Sequence, residues 1–204
     1  VLEIYREIRR QVGSDYPIGI KINSADFQRG GFTEKESMEV IRLLGNEGID
    51  LIEISGGTYE KPAMVQGIQK QSTVSREAYF LDYIEKARKL IKTPLLLTGG
   101  FRTVKVMEKA LEDGSLDVIG LARPFCLYPY LANQIFDGSV KQFDTPTPKI
   151  GIKFLDKLGG VELPWYELQI QRIGNGKSPK TDLSGIFAFW FSLKSLFFKS
   201  FWKN

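Results

Sequence analysis

A chain of 204 residues with 43% hydrophobic and 25% charged side chains has the composition of a folded protein, with apolar material for one substantial core. Its single cysteine, Cys126, excludes an intramolecular disulfide and a cysteine-held iron–sulfur cluster and suits a reducing, cytoplasmic setting, while the absence of histidine removes the commonest general acid–base group and metal ligand. The formal net charge of +4 comes from residues 141–204, which carry 10 Lys and Arg against 5 Asp and Glu, and no basic stripe or base-stacking module marks a nucleic-acid surface.

The chain opens without a start methionine and inside an amphipathic pattern, with Val1, Leu2, Ile4, Tyr5, Ile8 and Val12 at helical spacing. "PIGIKIN" follows as a β-rich run, then the loop "SADFQRGGF", then a helix opened by Thr33 and running through Asn46. Thr33 and Glu36 have the spacing of a capping box, and Gly48 ends that helix. "DLIEISGG" is expected as a second strand and a long polar loop leads to a helix from Arg76 to Ile91, with Phe80, Tyr83, Ile84, Ala87 and Ile91 on one face. "PLLLTGG" is the third strand. Thr103 is placed to cap a helix from Val104 to Asp113 that turns Val106, Met107, Ala110 and Leu111 inward and stops at Gly114. "DVIGLARPF" is the fourth strand, with a helical turn after Pro129.

Strands alternating with helices predict an α/β fold with a parallel sheet. The loops after the strands are long or glycine-rich (Gly30-Gly31, Gly56-Gly57, Gly99-Gly100, then Arg123-Pro124), whereas those before the strands are short. That asymmetry fits a barrel or a doubly wound sheet with its ligand face at the strand C-termini. Gly99-Gly100 has two readings: a tight turn that needs φ > 0, or a bare backbone that lets an anion approach the helix beginning after Thr103. Four strands are half of an eight-stranded barrel, so the reading expects a first half preceding Val1.

With the units in order, the sequence resembles the C-terminal half of the old yellow enzyme family of flavin-dependent NAD(P)H oxidoreductases and ene-reductases. The resemblance runs from about Val1 to Asp182 and rests on "VGSDYPIGIKINSADF", "GIDLIEISGGTYE", "SREAYFLDYIEKAR", "PLLLTGGFRT", "DVIGLARPFCLYP" and "YELQIQRIGNGKSP". It implies the C-terminal half, about four βα units, of a TIM-type (β/α)8 barrel over residues 1–140 and a family-like extension over 141–182. It also implies FMN as cofactor, NADH or NADPH as reductant, and hydride delivery to an activated alkene or a related electrophile as a small-molecule substrate.

In this family the loops after strands seven and eight hold the FMN phosphate, which implies that role for Gly99, Gly100, Phe101 and Arg102 and for Ala122 and Arg123. Glycine N–H groups, a helix dipole and an arginine fork all suit a phosphate dianion. For Arg123 the plainer alternative is a strand-end arginine paired to a carboxylate. Lys21, read as lying inward on "GIKIN" among Ile18, Ile20 and Ile22, falls where the family places a cation beside the flavin N1–C2=O edge. Many members have arginine there, so lysine keeps the charge and changes the hydrogen-bond geometry. Ser55, Gly56 and Gly57 end the second strand near the expected ring system. Tyr59 and Tyr79 read as packing aromatics in preference to loop aromatics over the substrate, Cys126 as a small hydrophobe, and Asp26 and Glu53 as carboxylates hydrogen-bonded within the barrel. The family's substrate-carbonyl ligands and tyrosine proton donor come from the first half of the barrel, so no catalytic residue is expected among these 204.

Residues 183–204 form a cationic aromatic tail. As a helix they align Ser192, Ser195, Lys199 and Lys203 on one narrow face and set Phe189, Trp190, Leu193, Leu196, Phe197 and Phe201 around the rest. Lys194 and Lys199 interrupt the apolar run too early for a span, which suits a membrane surface; a helix docked on the barrel or on a partner subunit needs the same apolar face. Two other classes stay open: another phosphate-binding barrel enzyme, and a non-catalytic half-barrel that covers its open sheet edges as a homo-oligomer.

Overall fold

Parallel strands joined by helices build the first part of the chain. The computed structural model describes residues 1–26, 29–55, 73–152, 156 and 161–191. The readings at Gly56-Gly57 and Tyr59, at the side chains of Tyr79 and Phe80, and over residues 192–204 lie outside the described residues. Two units divide the chain, Val1–Leu121 and Ala122–Asn204.

In the first unit the order is α1 (Leu2–Val12), β1 (Gly19–Asn23), α2 (Glu34–Asn46), β2 (Leu51–Ser55), α3 (Thr73–Arg88), β3 (Leu95–Thr98), α4 (Val104–Glu112) and β4 (Val118–Gly120). The sheet is parallel throughout in the order β1-β2-β3-β4. Consecutive order without reversal leaves no topological switch point, so the arrangement is that of successive barrel units and not of a doubly wound sheet.

Period-two alternation along the strands decides the core. Ile52, Ile54, Leu95 and Leu97 are buried, together with Ile41 and Leu44 of α2, Tyr83, Ile84 and Ala87 of α3, and Val104, Met107 and Ala110 of α4. The predicted capping box is present: Thr33 Oγ1 accepts from Glu36 N at 3.2 Å and Glu36 Oε2 accepts from Thr33 N at 2.8 Å. At the N-terminal ends of the strands, two carboxylates repeat one device. Asp50 accepts from Ile18 N at 2.7 Å and pairs with Arg9, while Asp117 accepts from Leu95 N at 2.8 Å and pairs with Arg88. The Ile18 N–H and the Arg9 guanidinium hold the Asp50 carboxyl below its ordinary range. These clamps fasten the end of the sheet opposite the loops that follow the strands.

Several sequence expectations shift. The fourth strand is only Val118–Gly120, because Arg123 opens a 3-10 turn (Arg123–Cys126) and Pro124 has no N–H for a ladder. Helix α3 ends at Arg88, before Ile91, yet Ile91 is still buried. On α4 the inward set is Val104, Met107 and Ala110, whereas Leu111 is 41% exposed. Thr103 occupies the N-cap position of α4 without a side-chain capping hydrogen bond. On α1 only Tyr5 is buried, and Val1, Ile4, Ile8 and Val12 are exposed.

The second unit begins with that 3-10 turn and continues through α5 (Leu131–Phe136) and α6 (Glu162–Gly174) to helical residues 185–191. Its core is Leu127, Trp165, Tyr166 and Ala188, with Cys126, Tyr128, Leu168 and Leu183 packed against it. Trp165 Nε1 donates to Leu183 O at 2.7 Å, and Tyr166 OH donates to Pro146 O at 2.8 Å.

Candidate functional site

The sheet face opposite the buried isoleucines and leucines carries the polar residues. Parallel register aligns Lys21 with Glu53, Leu96 and Val118 in one row, and pairs Asn23 with Ser55 and Thr98 with Gly120 nearer the strand C-termini. Lys21 therefore does not lie among Ile20 and Ile22, as the sequence suggests; period two sends those two to the other face. Its Nζ is 2.6 Å from Glu53 Oε1, with the lysine side chain 56% exposed and the glutamate 26%. Burial raises the Glu53 pKa, but the Lys21 ammonium and the Thr98 hydroxyl lower it further, and the carboxyl lies below its ordinary range.

At the ends of β1 and β2 a network fixes the backbone. Ser55 Oγ donates to Asn23 Oδ1 and Asn23 Nδ2 to Asp26 Oδ1, both at 3.1 Å, and Asp26 Oδ2 accepts from Phe32 N at 2.9 Å. Ser37, buried on α2, donates to Asn23 O at 2.7 Å and shares a 2.7 Å hydrogen bond with the Tyr83 hydroxyl. Asp26 is thus a turn-closing carboxylate. Asn23, Ser37 and Thr98 were not singled out from sequence, although alternation along the strands places Asn23 on the Lys21 face and Ser55 on the Glu53 face.

The Gly99-Gly100 pair turns the chain after β3 with φ of 96° and 85°, conformations that a side chain would strain. Gly99 N donates to Gly120 O at 3.2 Å, so its N–H serves the sheet, and its contribution to the loop is conformational. Phe101 is 1% exposed and Arg102 6%, with Arg102 Nη1 donating to Phe101 O. Helix α4 then starts without a side-chain cap, and Val106 N and Met107 N donate to Thr103 O. A helix N-terminus lacking a side-chain cap, behind two left-handed glycines and with Arg102 and Lys105 as the only charged residues from 99 to 107, has a donor set that fits an anion.

In the second unit Ala122 precedes the 3-10 turn and Arg123 begins it. Arg123 Nη1 donates to Oε1 of Glu162, the first residue of α6, and the two side chains are 24% and 16% exposed. The carboxylate pairing open at the sequence level is therefore present, with a partner 39 positions away that carries no local signal. Cys126 Sγ donates to Ala122 O at 3.6 Å, and burial pushes its thiol pKa up, which favours the unreactive thiol form.

Residues 1–142 match the family model described as the NADH:flavin oxidoreductase / NADH oxidase family. The chain is 36% identical over 171 residues to the NADH-dependent flavin oxidoreductase iliE of Hypocrea jecorina, a match that covers 79% of this chain and 42% of that protein. It is 35% identical over 186 residues to the NADH-dependent flavin oxidoreductase nadA of Aspergillus parasiticus, covering 90% and 40% respectively. Among solved structures it is similar to a 2-naphthoyl-CoA reductase in complex with 2-naphthoyl-CoA, with a TM-score of 0.58 and 30% identity over 67% of this chain and 20% of that one. The chain spans about two fifths of the length of these curated relatives.

Proposed function

Given that the chain belongs to the NADH:flavin oxidoreductase / NADH oxidase family, we propose that it supplies a phosphate site and one cationic flavin edge to an FMN-dependent NAD(P)H oxidoreductase of old yellow enzyme type. The observation that carries this reading is the loop after β3: two left-handed glycines leading into a helix N-terminus without a side-chain cap. Bound FMN would supply the hydride chemistry, toward an activated alkene or a related electrophile. Gly99 and Gly100 set the path of the loop, and the first N–H groups of α4, with Phe101 and Arg102 in the same loop, would hold the phosphate. Ala122 and Arg123 are assigned to the phosphate on the sequence resemblance alone. Lys21 would stand beside the flavin edge, where its charge favours the negative charge that the ring gains on reduction.

The experiment is a flavin spectrum of the full-length protein followed by anaerobic titration with NADH, in wild type and Lys21→Met. Both proteins are expected to hold flavin; the variant is reduced more slowly and at a lower midpoint potential. An unchanged potential in Lys21→Met removes the electrostatic role, and a protein that never binds FMN overturns the reading as a whole.

A second role, contact with a membrane surface, is favoured by the part of the tail that is described. Ala188 is fully buried, yet Phe187 is 60% and Trp190 64% exposed, so residues 185–191 dock by one side and present aromatic rings on the other. Lys194, Lys199 and Lys203 follow in sequence. No helix among the described residues is long and apolar enough to cross a membrane. The protein is expected to co-sediment with phosphatidylserine-containing vesicles at low salt and to be released as salt rises. Truncation after Phe191 removes Lys194, Lys199 and Lys203 and should weaken the low-salt binding strongly while sparing Leu183 and Ala188, which belong to the core. Protein that stays in the supernatant at low salt makes the tail a packing element only.

A further inference from the structure

The carboxylate beside Lys21 has no part in the function proposed so far. Glu53 stands opposite Lys21 in the β1–β2 register, with 2.6 Å between Oε1 and Nζ, and the Thr98 hydroxyl donates to the same carboxylate. Thr98 is itself held: a Cβ at Gly120 would lie 2.0 Å from Thr98 Oγ1, so β4 approaches it as closely as only glycine allows. Gly120 thus makes room for Thr98, Thr98 bonds Glu53, and Glu53 holds the Lys21 ammonium. With the lysine more than half exposed, such a pair adds little to stability. It does change the electrostatics of this face. A lone ammonium presents a full positive charge, whereas an ammonium in contact with a carboxylate presents a dipole whose field falls off faster with distance.

We propose that Glu53 tunes the reduction potential of the bound flavin by attenuating the Lys21 charge, with Thr98 fixing the carboxylate in place. The proposal rests on the reading of Lys21 as the cation at the flavin edge. Glu53 acts through Lys21 and is a positioning and tuning residue. The ionised state of Glu53 agrees with this, since the Lys21 and Thr98 interactions hold its pKa below the ordinary range despite burial.

The test is an anaerobic redox titration of FMN-loaded protein against a reference dye. Glu53→Gln keeps the size of the side chain and one acceptor oxygen and removes the charge. It is expected to raise the midpoint potential by about tenfold in the reduced-to-oxidised equilibrium, which is about 30 mV for a two-electron couple. Glu53→Asp keeps the charge but withdraws it by one methylene, and is expected to give a smaller rise, so the result does not depend on the glutamine variant folding. Lys21→Met lowers the potential. If Lys21→Met lowers it and neither Glu53 variant raises it, the tuning role is overturned and the reading of Lys21 stands. If Lys21→Met leaves it unchanged, that reading falls and the tuning role falls with it.

Discussion

Arg123→Ala is expected to weaken FMN binding roughly ten- to 150-fold, the equivalent of the about 1.5–3 kcal/mol that a hydrogen bond to a charged group contributes. The residue opens the 3-10 turn after β4, and its guanidinium offers five N–H donors in a planar fork, of which Nη1 meets Glu162. Removing it has two effects that must be separated. On the proposed reading the phosphate would lose a charge-assisted partner, and Glu162, only 16% exposed, loses the cation that compensates its burial, although the N-terminus of α6 offsets part of that loss. Glu162→Gln alone should leave Arg123 in place. The double variant Arg123→Ala/Glu162→Gln should recover thermal stability without recovering flavin. Arg123→Lys should fall between, because a point charge replaces a fork. Flavin retained through dialysis as in wild type would remove Arg123 from the phosphate site and leave it as the structural partner of Glu162.

Trp165→Ala is the substitution expected to cost the most stability, about 3–5 kcal/mol in the second unit. The side chain is 1% exposed, its ring meets Tyr166 edge-to-face at 5.0 Å and 80°, and its Nε1–H satisfies Leu183 O. Alanine leaves a cavity among Leu127, Tyr166 and Ala188 and releases the segment that leads into residues 185–191. Trp165→Phe keeps most of the packing and forfeits the hydrogen bond, so its loss should be smaller, about 1–3 kcal/mol from the unpaired carbonyl. Thermal melts followed by near-ultraviolet circular dichroism measure both. A Trp165→Ala protein that melts with wild type would mean that this cluster does not hold the unit together.

What was legible in the sequence was local. The helix from Glu34 to Asn46 and its capping box depend on residues three and four apart, and the strands at Gly19–Asn23, Leu51–Ser55 and Leu95–Thr98 depend on short β-rich runs bounded by turn residues. The buried face of α3, with Tyr83, Ile84 and Ala87, follows from helical period alone. The errors were local signals overruled by packing. Thr103 has the right residue type for a cap and does not cap, Leu111 has the right spacing for the core and is exposed, and the apolar run after Asp117 stops being a strand before Pro124. Neither Trp165 as the centre of a core nor Glu162 as an ionic partner carries a signal in the sequence around α6.

By itself, the sequence determined the order of strands and helices, the glycine turns at their ends and the family to which the chain belongs, because backbone preferences and residue periodicities are properties of neighbours along the chain. Only the tertiary structure decided which charges meet. Lys21 and Glu53 lie 32 positions apart and Arg123 and Glu162 lie 39 apart. The first pair exists because parallel pairing of β1 and β2 aligns residue 21 with residue 53, and a shift of one residue would send one of the two to the opposite face. The second exists because a 3-10 turn and a helix start pack against one another within the second unit. Register and packing are settled by the burial of whole faces at once, and no local pattern carries them.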